Sequence, residues 1–402
     1  MPGSPIGKVA ALKAPIDPSC SPFWTALLAA FDAHEVRYCA LHAEGSLLSE
    51  TDFAVHPADR PKLAKAFSDL RKAGYRAVQS FQFAPKCFHF VFAHLEAEET
   101  VAVDLKFCIE ASNGVLSTEK LMITRRRCGV LWVPQAGLID KLDQELLQQN
   151  AWHRKLQSLE LFIRSVISVK HGEGAFLVFL GPDGVGKTTL STEISAALAP
   201  IFSGQHFFRW RPAMFARAPR PSALPHSKPL RSVRGSVSYL VFLWLDFVAG
   251  YIFRYRQMLR RGELVVFDRY YHDLLIDPKR YRYNRPLWLA RMLRHFVPPR
   301  DAFFVVLDAD EETIFTRKQQ LALEEIRRQR MVYRQFARVT SLSVLVATDS
   351  SLSECKARAL SALLRHLADR TERRNPEWFS LPATPETAAP VAVSTPGSEF
   401  SD

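Results

Sequence analysis

The stretch from Phe176 to Leu190, FLVFLGPDGVGKTTL, constrains this chain more than any other. An apolar run, Phe176 to Leu180, has the length and composition of a buried parallel strand, and it stops at Gly181-Pro-Asp-Gly-Val-Gly-Lys-Thr188. Helix-forming residues then take over, so the spacing G-x-x-x-x-G-K-T falls between a strand and a helix, the context such a loop requires. Glycines at 181, 184 and 186 permit backbone angles closed to other residues, so several N–H groups can turn inward and the chain can approach a polyanion. The following helix directs its positive end to the same place. Residues Gly181, Asp183, Gly184, Val185, Gly186, Lys187, Thr188 and Thr189 therefore form a candidate phosphate cradle. Lys187 would reach the outer phosphates of a nucleotide, and the Thr188 hydroxyl would ligate Mg²⁺.

At 402 residues the chain is long for one core, and two or three domains are expected. The apolar fraction of 48% is that of a globular protein, and the net charge of +12 points to anionic partners: nucleotides, phosphorylated small molecules, nucleic acid or an anionic membrane face. No aromatic stacking motif of the RNA-binding kind accompanies the charge, so no nucleic-acid partner is expected. Six cysteines (20, 39, 87, 108, 128 and 355) are scattered without a C-x-x-C pair, which indicates neither a disulfide framework nor a zinc site and favours a reducing, cytoplasmic setting. The first twenty residues lack the apolar core of a signal peptide. The most apolar segment, Val237 to Phe253, is short for a membrane span and carries Asp246 near its middle, so it reads as a buried core helix. Peripheral membrane contact and homodimerisation are left open.

Residues 1–20 read as a loose tail. Helical spacing follows from Pro22 to about Ala33, then strand-like runs at Tyr38 to His42 and Asp52 to Val55, a helix from Ala58 to Ala73, and paired strands at Phe88 to Ala93 and Val101 to Cys108. Gly45-Ser46 in a turn, Glu50-Thr-Asp52 and Asp104 on a later strand resemble the nucleotidyltransferase fold. The resemblance implies a smaller α+β domain over residues 21–138 in which Glu50, Asp52 and Asp104 form a second metal site. The interval from turn to carboxylates is short, and Glu stands where the pattern has its first Asp. A helical connector is expected over residues 139–173, and a P-loop domain over 174–372.

In the second half, a Pro- and Arg-rich segment from Phe207 to Arg234 reads as a basic loop, with Arg209 and Arg211 available to grip a phosphate or to remain solvated. Further buried strands are expected at Leu264 to Phe267, Ala302 to Leu307 and Ser343 to Ala347. With helices between them, they make a parallel sheet covered on both faces, the three-layer arrangement of a P-loop NTPase. Asp268 ends one strand at the carboxyl edge of that sheet, where it can share a Mg²⁺ with Thr188. Arg269 follows it as a fork of donors, and Arg280, Arg282 and Arg285 add charge nearby.

Gly181-Pro-Asp-Gly-Val-Gly-Lys-Thr-Thr189, Asp268-Arg-Tyr270, Leu307-Asp-Ala-Asp310 with Arg317, and Glu324/Tyr333 together resemble the thymidylate kinase family of P-loop nucleoside monophosphate kinases. The resemblance implies that Lys187, Thr188 and Asp268 serve ATP and Mg²⁺, and that Asp183 and Arg269 face the acceptor. It further implies that Arg317 and the basic residues near 327–330 form a lid, giving Lys187, Asp268, Arg269 and Arg317 catalytic roles. The acceptor half departs from that family: Tyr271-His-Asp273 and Leu274-Leu-Ile-Asp277-Pro278 replace its base-reading residues, and Asp246 is followed by Phe247 where the family has Arg. The resulting expectation is ATP-dependent transfer of a phosphoryl group to a nucleoside monophosphate or related phosphorylated small molecule. A sugar or lipid-linked acceptor from bacterial envelope biosynthesis, or an ATP-hydrolysing switch without an acceptor, are the alternatives. Residues 373–402, rich in Pro, Thr, Ser and Ala, read as a second tail.

Overall fold

The computed structural model describes residues 21–41, 50–84, 86–111, 114–147, 173–215 and 226–380. Gly45 and Ser46, residues 148–172 of the expected connector, the expected tail at 1–20, residues 381–402 of the tail expected at 373–402, and the centre of the Pro-rich segment lie outside them. The chain is mixed α/β, built on two five-stranded sheets.

The second sheet is parallel throughout. Its strands are β10 (Ala175–Leu180), β11 (Gln205–Arg209), β12 (Leu264–Asp268), β13 (Phe303–Asp308) and β14 (Ser343–Ala347), in the order β11-β12-β10-β13-β14. Every residue of β10 is buried, and alternation along the strand sorts its side chains into two cores. Leu177 and Phe179 face the helices Lys187–Leu198 and Leu352–Arg374. Phe176, Val178 and Leu180 face the opposite side, under the helix Val233–Gly250. A central strand buried on both faces is the reason this segment reads as an unbroken apolar run.

In the first sheet the order is β1 (Tyr38–Ala40), β2 (Glu50–Val55), β5 (Thr100–Lys106), β4 (Cys87–His94) and β3 (Tyr75–Ala84), and two small antiparallel pairs follow it, β6 (Cys108–Ala111) with β7 (Gly114–Ser117) and β8 (Arg126–Cys128) with β9 (Leu131–Val133). Only β2 and β5 run parallel; the other neighbours are antiparallel. Helices Pro22–Ala33 and Arg60–Lys72 cover one face with an aromatic core that includes Phe23, Trp24, Phe31, Phe67 and Phe92. The other face docks on the second half: Val78, Val91 and Ala93 join the core under the Leu352–Arg374 helix. Arg76 pairs with Glu372 at 2.7 Å and Asp369 at 2.8 Å across that contact.

Four sequence expectations change. Residues 373–380 are not tail: the helix runs to Arg374, and Pro376–Phe379 forms a further turn whose Trp378 is buried in the aromatic core of the first sheet. Trp378 lies 4.8 Å from the Phe88 ring and 4.5 Å below the Arg60 guanidinium. The segment 207–234 is not wholly irregular, since Phe207 to Arg209 belong to edge strand β11 and helix resumes at Val233. The apolar segment 237–253 is a core helix on one face only. It belongs to a continuous helical run, Val233–Arg260, long and apolar enough by length and composition to cross a membrane, yet only 33% of its most apolar window is buried. Val241, Leu245, Ile252 and Phe253 are exposed, while Asp246 is fully buried. Finally, Arg211 does not face solvent or an open phosphate site; it is buried and donates to Asp246 at 2.8 Å.

Candidate functional site

The loop after β10 turns through left-handed φ values at Gly184 (+93°) and Gly186 (+95°) before entering its helix at Lys187. Gly181, also at positive φ (+147°), is required for a second reason: a Cβ there would lie 2.6 Å from the Leu307 carbonyl oxygen at the end of β13. Val185 contributes backbone alone; its side chain is buried in the core and its carbonyl accepts from Thr348 Oγ1 at 3.0 Å. Thr188 and Thr189 are exposed at the first turn of the helix. Lys187 is buried, and its Nζ donates to the carbonyls of Gly181 (3.0 Å) and Pro182 (2.7 Å), which folds the ammonium over its own loop. Burial and the neighbouring Arg269 pull its pKa down to about 8, against the opposing pull of Asp183.

β12 lies beside β10, and Asp268 is the register partner of Phe179, the penultimate residue of β10. Its Oδ1 is buried without a hydrogen-bond partner, and Oδ2 lies 3.8 Å from Arg209 Nε. A buried carboxylate oxygen left unpaired beside a glycine cradle and a helix N-terminus has the donor chemistry of a Mg²⁺ shell, directly or through water. Thr188 and Asp268 thus fit the ion, and the loop amides with Lys187 fit a polyphosphate.

Arg269 is held in the left-handed region at φ +69°, a conformation that costs a non-glycine residue about 1–3 kcal/mol and recurs at functional sites. Its amide donates to the Phe179 carbonyl at 3.0 Å. Its guanidinium is shared between Asp183 and Asp273, the latter at 2.6 Å. Asp183 also receives Arg280 and lies 3.7 Å from Lys187. Burial works to raise the Asp183 carboxyl, but Arg269, Lys187 and Arg280 outweigh it and hold it well below the ordinary carboxylate range. Asp273 is fully buried and additionally accepts from Tyr281 at 2.5 Å and from Tyr333. Here too burial is outweighed, chiefly by Arg269 and Arg280, and the carboxyl stays below its ordinary pKa. Tyr281 in turn stacks on Trp210 with ring centroids 3.7 Å apart. The loop, the strand-end Arg269 and the 277–283 turn are therefore one charge network.

Arg317 is exposed at the end of the helix Glu311–Arg317, and Ile314, Arg317 and Lys318 pack over Gly184. The expected lid residues behave otherwise. Arg327 pairs with Glu311 at 3.0 Å, Arg328 with Glu325 at 2.6 Å, and the buried Arg330 with both Asp308 (2.8 Å) and Glu311 (2.5 Å). They sit on the regular helix Leu323–Val339, so their charges are spent within the second half of the chain. Arg282 donates to the Pro229 carbonyl and Arg285 is exposed.

In the first sheet, Asp52 and Asp104 are register partners on the parallel pair β2 and β5, and Glu50 is partnered with Ala102. Asp52 already holds Lys106 at 2.5 Å, and Asp104 holds His89 at 2.6 Å. A separate trio, His226, Asp277 and Glu325, brings ligand atoms within 4.8 Å of one another. Arg280 and Arg328 already engage its two carboxylates, so a cation there would compete with two guanidinium groups.

Asp273, Arg280, Tyr281 and Tyr333 are the members of the network to which the sequence assigned no firm role. The run Asp273 to Arg280 lies just beyond Asp268-Arg-Tyr, a local signal for Asp273, but only the fold brings Tyr333 onto it.

No protein-family model matches the chain, and no curated protein matches it. Among solved structures, thymidylate kinase from Ehrlichia chaffeensis is similar at 16% identity and a TM-score of 0.35, over 48% of this chain and 99% of that one.

Proposed function

We propose that the protein is an ATP- and Mg²⁺-dependent phosphotransferase that moves a γ-phosphoryl group to a nucleoside monophosphate or a related phosphorylated acceptor. The observation that carries this reading is the register of β10 beside β12: it sets the G-x-x-x-x-G-K-T loop next to Asp268, whose Oδ1 is buried and unpaired. The loop amides and Lys187 would bind the phosphate tail, with Thr188 and Asp268 holding the Mg²⁺. Bound Mg²⁺ would neutralise charge on the transferring group. Arg269 is poised by Asp183 and Asp273 at the mouth of the loop, where a guanidinium fork can orient an acceptor oxyanion. Arg317, exposed beside Gly184, is a further cation available to the proposed site. A phosphate acceptor is ionised already, so catalysis reduces to positioning and charge neutralisation, and no general base is needed.

The test is ADP release from Mg·ATP with a panel of nucleoside monophosphates and phosphosugars, run beside Lys187→Ala. Acceptor-dependent release that the variant loses supports the reading. Hydrolysis at the same rate without any acceptor replaces it with an ATP-driven switch, and no release under any condition removes it.

A further inference from the structure

A cleft of about 800 Å³ opens where the first sheet meets the second half, and no residue of the phosphate loop or of the Asp268-Arg269 strand end lines it. That volume lies within the usual range for small-molecule sites, which concentrate at such interfaces between folding units. Its cationic side comes from two helices of the second half. Arg370 and Arg374 stand at the end of the Leu352–Arg374 helix, and Arg256 and Arg260 stand one turn apart in the run leading to β12. Glu173 already engages Arg374 at 2.6 Å and lies 3.4 Å from Arg370. Arg256 and Arg260 are exposed to the cleft and make no ion pair or hydrogen bond among the described residues.

Two further features indicate a ligand. Ser80 Oγ is buried without a hydrogen-bond partner, whereas Arg370 Nε and Glu173 Oε2 face each other at 3.4 Å as an ion pair; all three residues line this cleft. Ser80 is 9% exposed and Arg370 6%, so neither is solvated in the ordinary way. A buried orphan of this kind is rare, and the Ser80 hydroxyl in the cleft wall asks for a polar occupant. The rest of the lining is mixed: Phe81, Phe88 and Tyr251 are partly exposed aromatic side chains, and the carboxylates of Asp301 and Glu377 also line the cleft. Two unpaired guanidinium groups suit a phosphate, while aromatic faces suit a planar ring.

We infer that this cleft is a second ligand site, separate from the phosphate loop, for a phosphate monoester that carries an aromatic ring, the class to which mononucleotides belong. Arg256 and Arg260 bind the phosphate, the aromatic side chains bind the ring, and Ser80 and Arg370 supply the polar edge contacts. An occupant would contact both halves of the chain at once. It would also touch the helical turn that ends at Arg260, four residues before the start of β12.

The experiment uses the full chain carrying Lys187→Ala, which weakens the phosphate loop, and titrates it calorimetrically with AMP, CMP, GMP and dTMP, with ribose 5-phosphate and inorganic phosphate as ringless probes. At least one mononucleotide is expected to show saturable uptake, to bind at least tenfold more tightly than ribose 5-phosphate, and to lose at least tenfold when Arg256→Ala and Arg260→Ala are added. Both arginines are exposed, and an unchanged melting midpoint in the triple variant checks that the fold survives. Three results would each overturn the inference: no saturable uptake of any mononucleotide, ribose 5-phosphate binding as tightly, or affinity untouched by the arginine substitutions. Because the acceptor pocket proposed beside Arg269 could also take a mononucleotide in Lys187→Ala, the tenfold loss on Arg256→Ala and Arg260→Ala is the result that assigns the uptake to this cleft.

Discussion

Arg211 donates to Asp246 at 2.8 Å with both side chains buried, and the same carboxylate accepts the backbone amides of Ala213 (3.0 Å), Met214 (2.7 Å) and Phe215 (3.2 Å). Asp246 therefore ties the chain after β11 to the middle of an otherwise apolar helix. Removing one partner of a buried ion pair leaves the other charge uncompensated, at about 3–5 kcal/mol. Asp246→Ala is expected to lower unfolding stability by that order, read from the urea midpoint. The double variant Arg211→Met/Asp246→Ala should recover little, because three amides would still lack their acceptor. A single variant within about 1 kcal/mol of the parent would refute this account of the pair, since intact buried pairs do not break so cheaply.

Lys187 gives a pH dependence with a definite sign. Its pKa in the fold is about 8, against an ordinary value of 10.5. If the ammonium form is what grips phosphate, Mg·ATP affinity should be level below pH 8 and fall as pH rises above it, by at most tenfold per unit. Lys187→Arg, which stays charged, should flatten that decline. Without nucleotide the unfolded chain binds the proton more readily between pH 8 and 10.5, so this residue makes stability rise with pH across that window. Calorimetric titration of Mg·ATP between pH 7 and 9.5 checks the first expectation, and an increase in affinity with pH would contradict it.

Asp273 sets the third prediction. Tyr333 and Tyr281 both donate to it, and it fixes Arg269 from the side opposite Asp183. Tyr333→Phe removes one hydrogen bond to a charged acceptor, a loss of about 1.5–3 kcal/mol. Asp273→Asn leaves Arg269 with Asp183 as its remaining carboxylate partner, and should depress phosphoryl transfer more than it depresses Mg·ATP affinity. Equal losses in the two measurements would mean that Asp273 supports the loop as a whole and not the aim of Arg269.

What could be read from the sequence, and what could not, follows the range of the interactions. The strand-loop-helix at 175–198 is a local pattern, and the strands ending at Asp268 and Asp308 are short apolar runs that end at an acid, so all three were legible. Strand β3 was missed. Its first six residues are all buried, because one face meets the aromatic core while the other meets the Leu352–Arg374 helix. Two-sided burial erases the alternation that marks a strand. Edge strand β11 was hidden by the Pro- and Arg-rich chain that follows it. The pairing of Arg330 with Asp308, and of Tyr333 with Asp273, spans 22 and 60 residues, so no spacing rule could have separated these side chains from a solvated basic helix.

Trp378 shows the same limit at the end of the described chain, and it yields the last prediction. The sequence around it, Asn375-Pro-Glu-Trp-Phe379, stands where the composition turns toward Pro, Thr and Ser, so its two aromatic residues carried the only sign of burial. In the fold Trp378 is 2% exposed, packed edge-on against Phe88 (4.8 Å) and Phe90 (5.3 Å), with Arg60 over its ring. It is thus the point at which the end of the second half fills the core of the first. Trp378→Ala should cost about 3–5 kcal/mol, as for other large aromatic truncations. Because the ring belongs to the first core, the loss should appear as earlier hydrogen exchange in Phe88 to Phe92 and in the Arg60–Lys72 helix. Strand β10 and its loop lie in the other core and should keep their protection longer. Uniform loss of protection across both sheets would show instead that the two halves unfold as one unit.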